Sequence, residues 1–191
     1  MLLDNFLTSY QVNEVHTISI STPPGCVYKA IRQFTPREVP LFGLLMGLRT
    51  LSARLAGRRF DSRSGERPLI ERATEMGFIL LAESPGREIV MGTIGQFWKL
   101  SPNGPPERIN SPGGFVAFNL GGYAKAAFNF HIRPSRDGKR SQVRTETRIY
   151  LPDPQSESKF KLYWRIIGPG SALIRITWLR AIKKRAEREC E

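Results

Sequence analysis

"YWRIIGPGSALIRITWLRAIKKRAE", residues 163–187, reads as helix on both sides of a break. Before the break, Phe160, Trp164 and Ile167 recur at helical spacing, and after it Ile174, Trp178, Ala181 and Ile182 do the same. Gly168-Pro169-Gly170 lies between them. Proline removes a backbone donor and clashes with the preceding turn at about 3 kcal/mol, and each glycine costs about 1 more. Two short helices joined by a turn would satisfy the pattern, and so would one kinked helix laid as a lid over a curved surface. A straight helix of some 33 residues would extend ~50 Å at 1.5 Å per residue, longer than a domain of this size is wide. A bend is therefore predicted, with 155–167 closing one part of a sheet and 171–187 another.

Strand patterns precede this helix. "NEVHTISIST" (13–22) alternates, with His16, Ile18 and Ile20 on one face. "PPGCVYKAIRQF" follows, with proline at a natural helix start and Val27, Ile31 and Phe34 on one stripe. "PLFGLLMGLRTLSARLAG" (40–57) predicts a second helix whose leucines 41, 44, 45, 48, 51 and 55 fall in one stripe. Residues 58–68 read as polar loop and 68–76 as a short helix. "GFILLAE" (77–83), "REIVMGTIG" (87–95) and "QFWKL" (96–100) read as a meander turning at Pro85-Gly86. Residues 101–114 hold four prolines and read as loop. "YAKAAFNFHI" (123–132) and "SQVRTETRIYL" (141–151) are two more alternating strands, joined at Asp137-Gly138, and Asp153 is placed to cap the final helix. The order predicts an α+β fold, a curved antiparallel sheet wrapped around a long kinked C-terminal helix, as a single domain over 1–191.

Composition bounds the function classes. With 40% hydrophobic and 24% charged residues the chain is ordinary for a globular domain. Cys26 and Cys190 lie at opposite ends without metal-ligand spacing, which predicts free thiols and a reducing compartment. No basic stretch precedes the apolar N-terminus, so no signal peptide is read and a cytoplasmic location is expected. The net charge of +12 invites nucleic acid or an anionic membrane as partner. The arginines are scattered, however, and accompany no nucleic-acid motif, which disfavours the first. In the 40–59 segment, Phe42 and Met46 lie off the leucine stripe with Arg49, Arg54, Arg58 and Arg59 nearby, a pattern suited to an anionic membrane surface or to capping a cavity.

Strand parity assigns an inward face. Ala124, Ala126, Phe128 and Phe130 form the apolar row of one strand, against Lys125, Asn129 and His131. Val143, Thr145, Thr147 and Ile149 form that of its neighbour, leaving Arg144, Glu146 and Arg148 toward water. Small side chains leave room and hydroxyls orient an apolar guest, unless helix side chains such as Trp164 fill the space. His16 points inward as a buried structural histidine or as an acid/base for a bound molecule. His131 is expected exposed. Glu83 either pairs with an arginine or caps a turn, and Trp98 is favoured over Phe97 as facing the interior. No nucleophile elbow, zinc-protease, P-loop or dinucleotide motif is present. No metal site and no cofactor are expected.

Several segments carry a resemblance: "VPLFGLLMGLRTLSARL", "PGREIVMGTIGQFW", "GYAKAAFNF", "TETRIY" and the C-terminal stretch quoted first. With the element order, they resemble the SRPBCC superfamily of START-related, polyketide cyclase and lipid-transport proteins, and a bacterial branch of it. The resemblance spans essentially the whole chain and implies a helix-grip fold with a ligand cavity between sheet and C-terminal helix. It implies that Trp98, Ala126, Phe128, Phe130, Thr145, Thr147, Trp164, Ile167, Ile174 and Trp178 line that cavity. The expected function is binding or carriage of a hydrophobic small molecule, a lipid or a polyketide-like aromatic. A cyclase or dehydratase using His16 as acid/base is one alternative, and peripheral membrane association through 40–59 is another. Oligomeric state is left open.

Overall fold

The computed structural model describes residues 1–39, 66–99, 105, 107 and 109–190. The predicted helix at 40–57, and with it the membrane-facing reading of Phe42, Met46, Arg58 and Arg59, lies outside the described residues.

Strand β1 (Val12–Ile20) leads into helix α1 (Pro24–Gln33), then α2 (Leu69–Glu75), β2 (Ile79–Ser84), β3 (Glu88–Gly95), α3 (Pro112–Ala117), β4 (Ala124–Pro134), β5 (Ser141–Tyr150) and α4 (Pro154–Glu189). The strands form one antiparallel sheet in the order β1-β5-β4-β3-β2. Its concave face is crossed by α4, so the chain has the α+β helix-grip arrangement. Pro24 opens α1 where the missing donor costs nothing. Gly86 and Gly138 take the positive φ that the two hairpin turns require. Asp153 caps α4 as expected: its carboxylate accepts from the Ser156 backbone N–H at 2.8 Å and from the Gly122 N–H at 2.8 Å.

Two local expectations do not hold. Residues 96–99 form a turn after β3 instead of a sixth strand, and the loop at 101–114 gives way to α3 from Pro112. Ser111 caps that helix by accepting from the Gly114 N–H. Of the two readings of the C-terminal segment, the continuous helix holds: α4 runs for 36 residues through Gly168-Pro169-Gly170, with Pro169 inside. Tertiary contact at both ends outweighs local propensity. Trp164 and Trp178 sit in separate clusters, both on the concave face. Trp164 packs with Ala124, Ile149 and Phe160, and Trp178 with Phe34, Phe128 and Phe130.

The opposite face of the sheet is covered as well. Arg144, Glu146 and Arg148 were expected in water, yet Glu146 is 1% and Arg148 6% exposed. The N-terminal turn Leu2–Asn5 and the loop after it lie over them: Arg148 donates to Glu146 at 2.8 Å, to Asp4 at 2.7 Å and to the Leu7 carbonyl at 2.8 Å. Burial pushes the Glu146 carboxyl up, but hydrogen bonds from Arg148 and Arg144 outweigh it, and its pKa lies below the ordinary value. His131 is half-buried, and burial lowers its pKa too.

The expectation of free thiols is overturned. Cys26 on α1 and Cys190 at the end of α4 form a disulfide, with Cα atoms 6.2 Å apart. Spacing in sequence says nothing about which ends a fold brings together, and here 164 residues separate the partners. The inference of a reducing compartment falls with the free thiols on which it stood. Polar contacts secure the same end of α4: Lys183 Nζ donates to the Ser19 carbonyl, the Ser21 N–H donates to Glu187, and Arg185 pairs with Glu38 at 2.7 Å. A cross-link closing so long a loop restricts the unfolded chain strongly, so reduction is expected to cost about 2–5 kcal/mol of stability. Denaturant unfolding with and without dithiothreitol measures this. Two titratable thiols in the unreduced, denatured protein would overturn the cross-link.

Candidate functional site: the polar gap beneath the C-terminal helix

The sheet-facing side of α4 reads Phe160, Trp164, Gly168, Ser171, Arg175, Trp178 and Ile182, steps of three and four that keep one face. Its ends are large and its middle is small. At the N-terminal end Phe160 stacks on Trp164 at 5.5 Å, and Trp98 meets Phe160 edge-on at 6.4 Å. At the C-terminal end Trp178 contacts Phe128 and Phe130 at 5.9 and 6.1 Å, and Phe34 from α1 at 6.3 Å. Between them, the Trp164 indole folds back over Gly168. A Cβ there would lie 3.2 Å from its Nε1, so a glycine suits the close approach.

Opposite this middle stretch the strands bring two cross-sheet rows together. Glu14 pairs with Thr147 and Thr147 with Phe128; His16 pairs with Thr145 and Thr145 with Phe130. Glu14 and His16 therefore share the inward face of β1 with Ile18 and Ile20, as the alternation of that strand requires. The Glu14 carboxylate is engaged at both oxygens, by His16 Nε2 at 2.8 Å and by the Ser171 hydroxyl, which donates at 3.1 Å. Arg175 lies across the next row. Its guanidinium carbon is 4.3 Å from the Phe128 ring centre and 4.5 Å from that of Trp178, a double cation–π contact. Burial lowers the Arg175 pKa to about 10, and the charge of Glu14 offsets this only in part.

Three polar atoms in this region are sealed from solvent and have no hydrogen-bond partner among the described residues: Thr145 Oγ1, Thr147 Oγ1 and Arg175 Nη1. Such atoms are uncommon in folded proteins, because each forfeits its hydration without replacement.

Most residues expected at the site face this side. Ala126, Phe128, Phe130, Thr145 and Thr147 lie on the concave face, Trp98 and Trp164 border one end, and Trp178 with Ile174 borders the other. Ile167 does not belong: it is 41% exposed and outside the buried clusters. Glu83 pairs with Arg32 at 3.4 Å and accepts a hydrogen bond from Tyr28, on α1 instead of in the gap. Sequence reading missed Glu14, Ser171 and Arg175. Glu14 carries the same parity as His16, and Arg175 lies three residues before Trp178, so extending either period would have reached them.

Among the described residues no group of histidine, cysteine or carboxylate side chains is arranged to hold a metal ion, and no helix is long and apolar enough to cross a membrane. An open groove of about 410 Å³ lies elsewhere, lined by residues that include Phe6, Val116, Lys125 and Tyr150.

No family model and no curated protein matches the chain. Solved structures do align along its length. A Mesorhizobium loti protein aligns over 93% of this chain and 98% of its own, at 16% identity and a TM-score of 0.42. A Thermus thermophilus protein covers 94% and 100%, at 10% identity and 0.35. The Zhui aromatase/cyclase from a Streptomyces species covers 94% and 96%, at 10% identity and 0.32.

The unpartnered hydroxyls give a direct test. Thr145→Val keeps the shape and removes a buried oxygen that bonds nothing among the described residues, so it is expected to raise the stability of the ligand-free protein by about 1 kcal/mol. Chemical denaturation measures it, and a loss of similar size would mean that the hydroxyl has a partner.

Proposed function

We propose that the protein binds or carries a hydrophobic small molecule, a lipid or a polyketide-like aromatic, between the concave face of its sheet and α4. One observation carries this reading: between two aromatic clusters, where α4 presents Gly168 and Ser171, the Thr145 and Thr147 hydroxyls are buried without partners among the described residues. Such atoms are uncommon in a packed core, whereas a pocket for a mostly apolar guest uses a few convergent polar groups to orient it. A ligand that binds only the native state adds about 2.7 kcal/mol of stability at a hundred times its dissociation constant. Thermal-shift screening of fatty acids, phospholipids, sterols and aromatic polyketides is expected to find stabilising members, and native mass spectrometry to find them bound one to one. A panel in which none stabilises the protein would reject the reading.

A second reading rests on the Glu14–His16 pair. With Nε2 donating to the carboxylate, Nδ1 is left as an acceptor, the arrangement of a general base held in one tautomer. In a cyclase or dehydratase such a base would take a proton from the bound molecule. His16→Gln is then expected to abolish turnover of a polyketide-like substrate while weakening its binding only modestly. Turnover that survives the substitution unchanged would leave binding as the whole function.

A further inference from the structure

Arg175 is the one cation on the sheet-facing side of α4 between Trp164 and Trp178, and its position is unusual in three respects. Its guanidinium rests on the faces of two aromatic rings. Its Nη1 is closed off from water without a hydrogen-bond acceptor among the described residues. The nearby carboxylate, Glu14, spends its two oxygens on His16 and Ser171 and forms no ion pair with it. Arg175 as a whole is half-buried, but a charged donor atom closed off from water is normally paired, since its desolvation is otherwise uncompensated. Alongside it, the neighbouring cross-strand positions supply the Thr147 and Thr145 hydroxyls, which are also unpartnered. Three potential donors thus lie at neighbouring positions of the helix and the sheet, and no acceptor among the described residues answers them.

We propose that the molecule held beneath α4 carries an anionic oxygen group, a carboxylate in the simplest case. Arg175 receives this group with help from the Thr147 and Thr145 hydroxyls, and the apolar body runs toward Ala126 and Trp164. This rests on the reading that the gap holds an apolar small molecule, and it names the polar end of that molecule. Desolvation by the rings of Phe128 and Trp178 makes a charge-assisted hydrogen bond there stronger than at a surface. The guanidinium remains protonated near neutral pH, because even a pKa lowered to about 10 lies well above it. The selectivity follows from the same chemistry. An alcohol or ester of equal length buries the same apolar area but leaves the guanidinium without its counter-charge.

Equilibrium dialysis of dodecanoic acid and of 1-dodecanol against the full chain, near neutral pH, separates the two claims. The wild type is expected to bind the acid about ten to a hundred times more tightly than the alcohol, the range of a charge-assisted hydrogen bond. Arg175→Gln is expected to remove that preference, with a loss for the acid about ten times that for the alcohol or more, and Arg175→Lys to retain part of it. Removing a half-buried cation that forms no ion pair among the described residues is not expected to impair folding; should Arg175→Gln fail to fold, Thr147→Val serves instead, with a several-fold loss confined to the acid. Equal binding of acid and alcohol by the wild type, or an equal loss of both in Arg175→Gln, overturns the anionic anchor while leaving the hydrophobic pocket standing. Binding of neither probe overturns both.

Discussion

The contact of Trp178 with Phe34, Phe128 and Phe130 is the interaction on which the rest of this structure depends. It joins α1, the centre of the sheet and the C-terminal half of α4 in one desolvated aromatic cluster. Aromatic pairs in edge-on or tilted geometry add about 0.5–1.5 kcal/mol each beyond the area they bury. More than stability is at stake, because the same contact sets the rotation of α4. With Trp178 turned onto Phe128, the residue three positions earlier must face the sheet too, and Arg175 is thereby held, half-buried, over both rings.

The far end of α4 is fixed by different means. Asp153 caps it and ties it to Gly122, and Phe160 and Trp164 pack on Ala124 and Ile149. Past Trp178 the disulfide to Cys26 and the Arg185–Glu38 pair hold it against α1 and the segment that follows. A helix secured at both ends can carry a poor sequence between them. Gly168-Pro169-Gly170 is that sequence, and Gly168 lets the Trp164 indole fold back against the helix.

The two faces of the sheet divide polar burial in different ways. On the face covered by the N-terminal turn, Glu88, Asn129, Glu146 and Arg148 satisfy one another and the backbone of residues 2, 3 and 7. Glu146 and Arg148 pair there, as buried structural charges do, while Lys125 is held by the Val116 carbonyl and the Tyr150 ring. On the concave face Glu14 and His16 are matched, whereas Arg175 Nη1 and the two threonine hydroxyls have no partner among the described residues.

Much of the architecture was legible in the sequence, because it rests on short-range periodicity. Alternation along 12–20, 124–134 and 141–150 identified the strands and their inward rows, and Asp153 announced the start of the last helix. His16 and the row from Ala126 to Phe130 were assigned to the correct face for the same reason. What only the tertiary structure decided involves residues distant in sequence. Residues 144, 146 and 148 alternate as a water-facing row should, and only the N-terminal turn folding over them makes them buried. Cys26 and Cys190 have no spacing that implies a bond until α4 returns to α1. Gly168-Pro169-Gly170 allowed either two helices or one continuous one by local propensity, and contacts at both ends carry the helix through it. Arg175 looks like one more surface arginine in a basic chain. Its meaning arises only where a helix and three strands converge, because local periodicity specifies which way a side chain points but not what it meets.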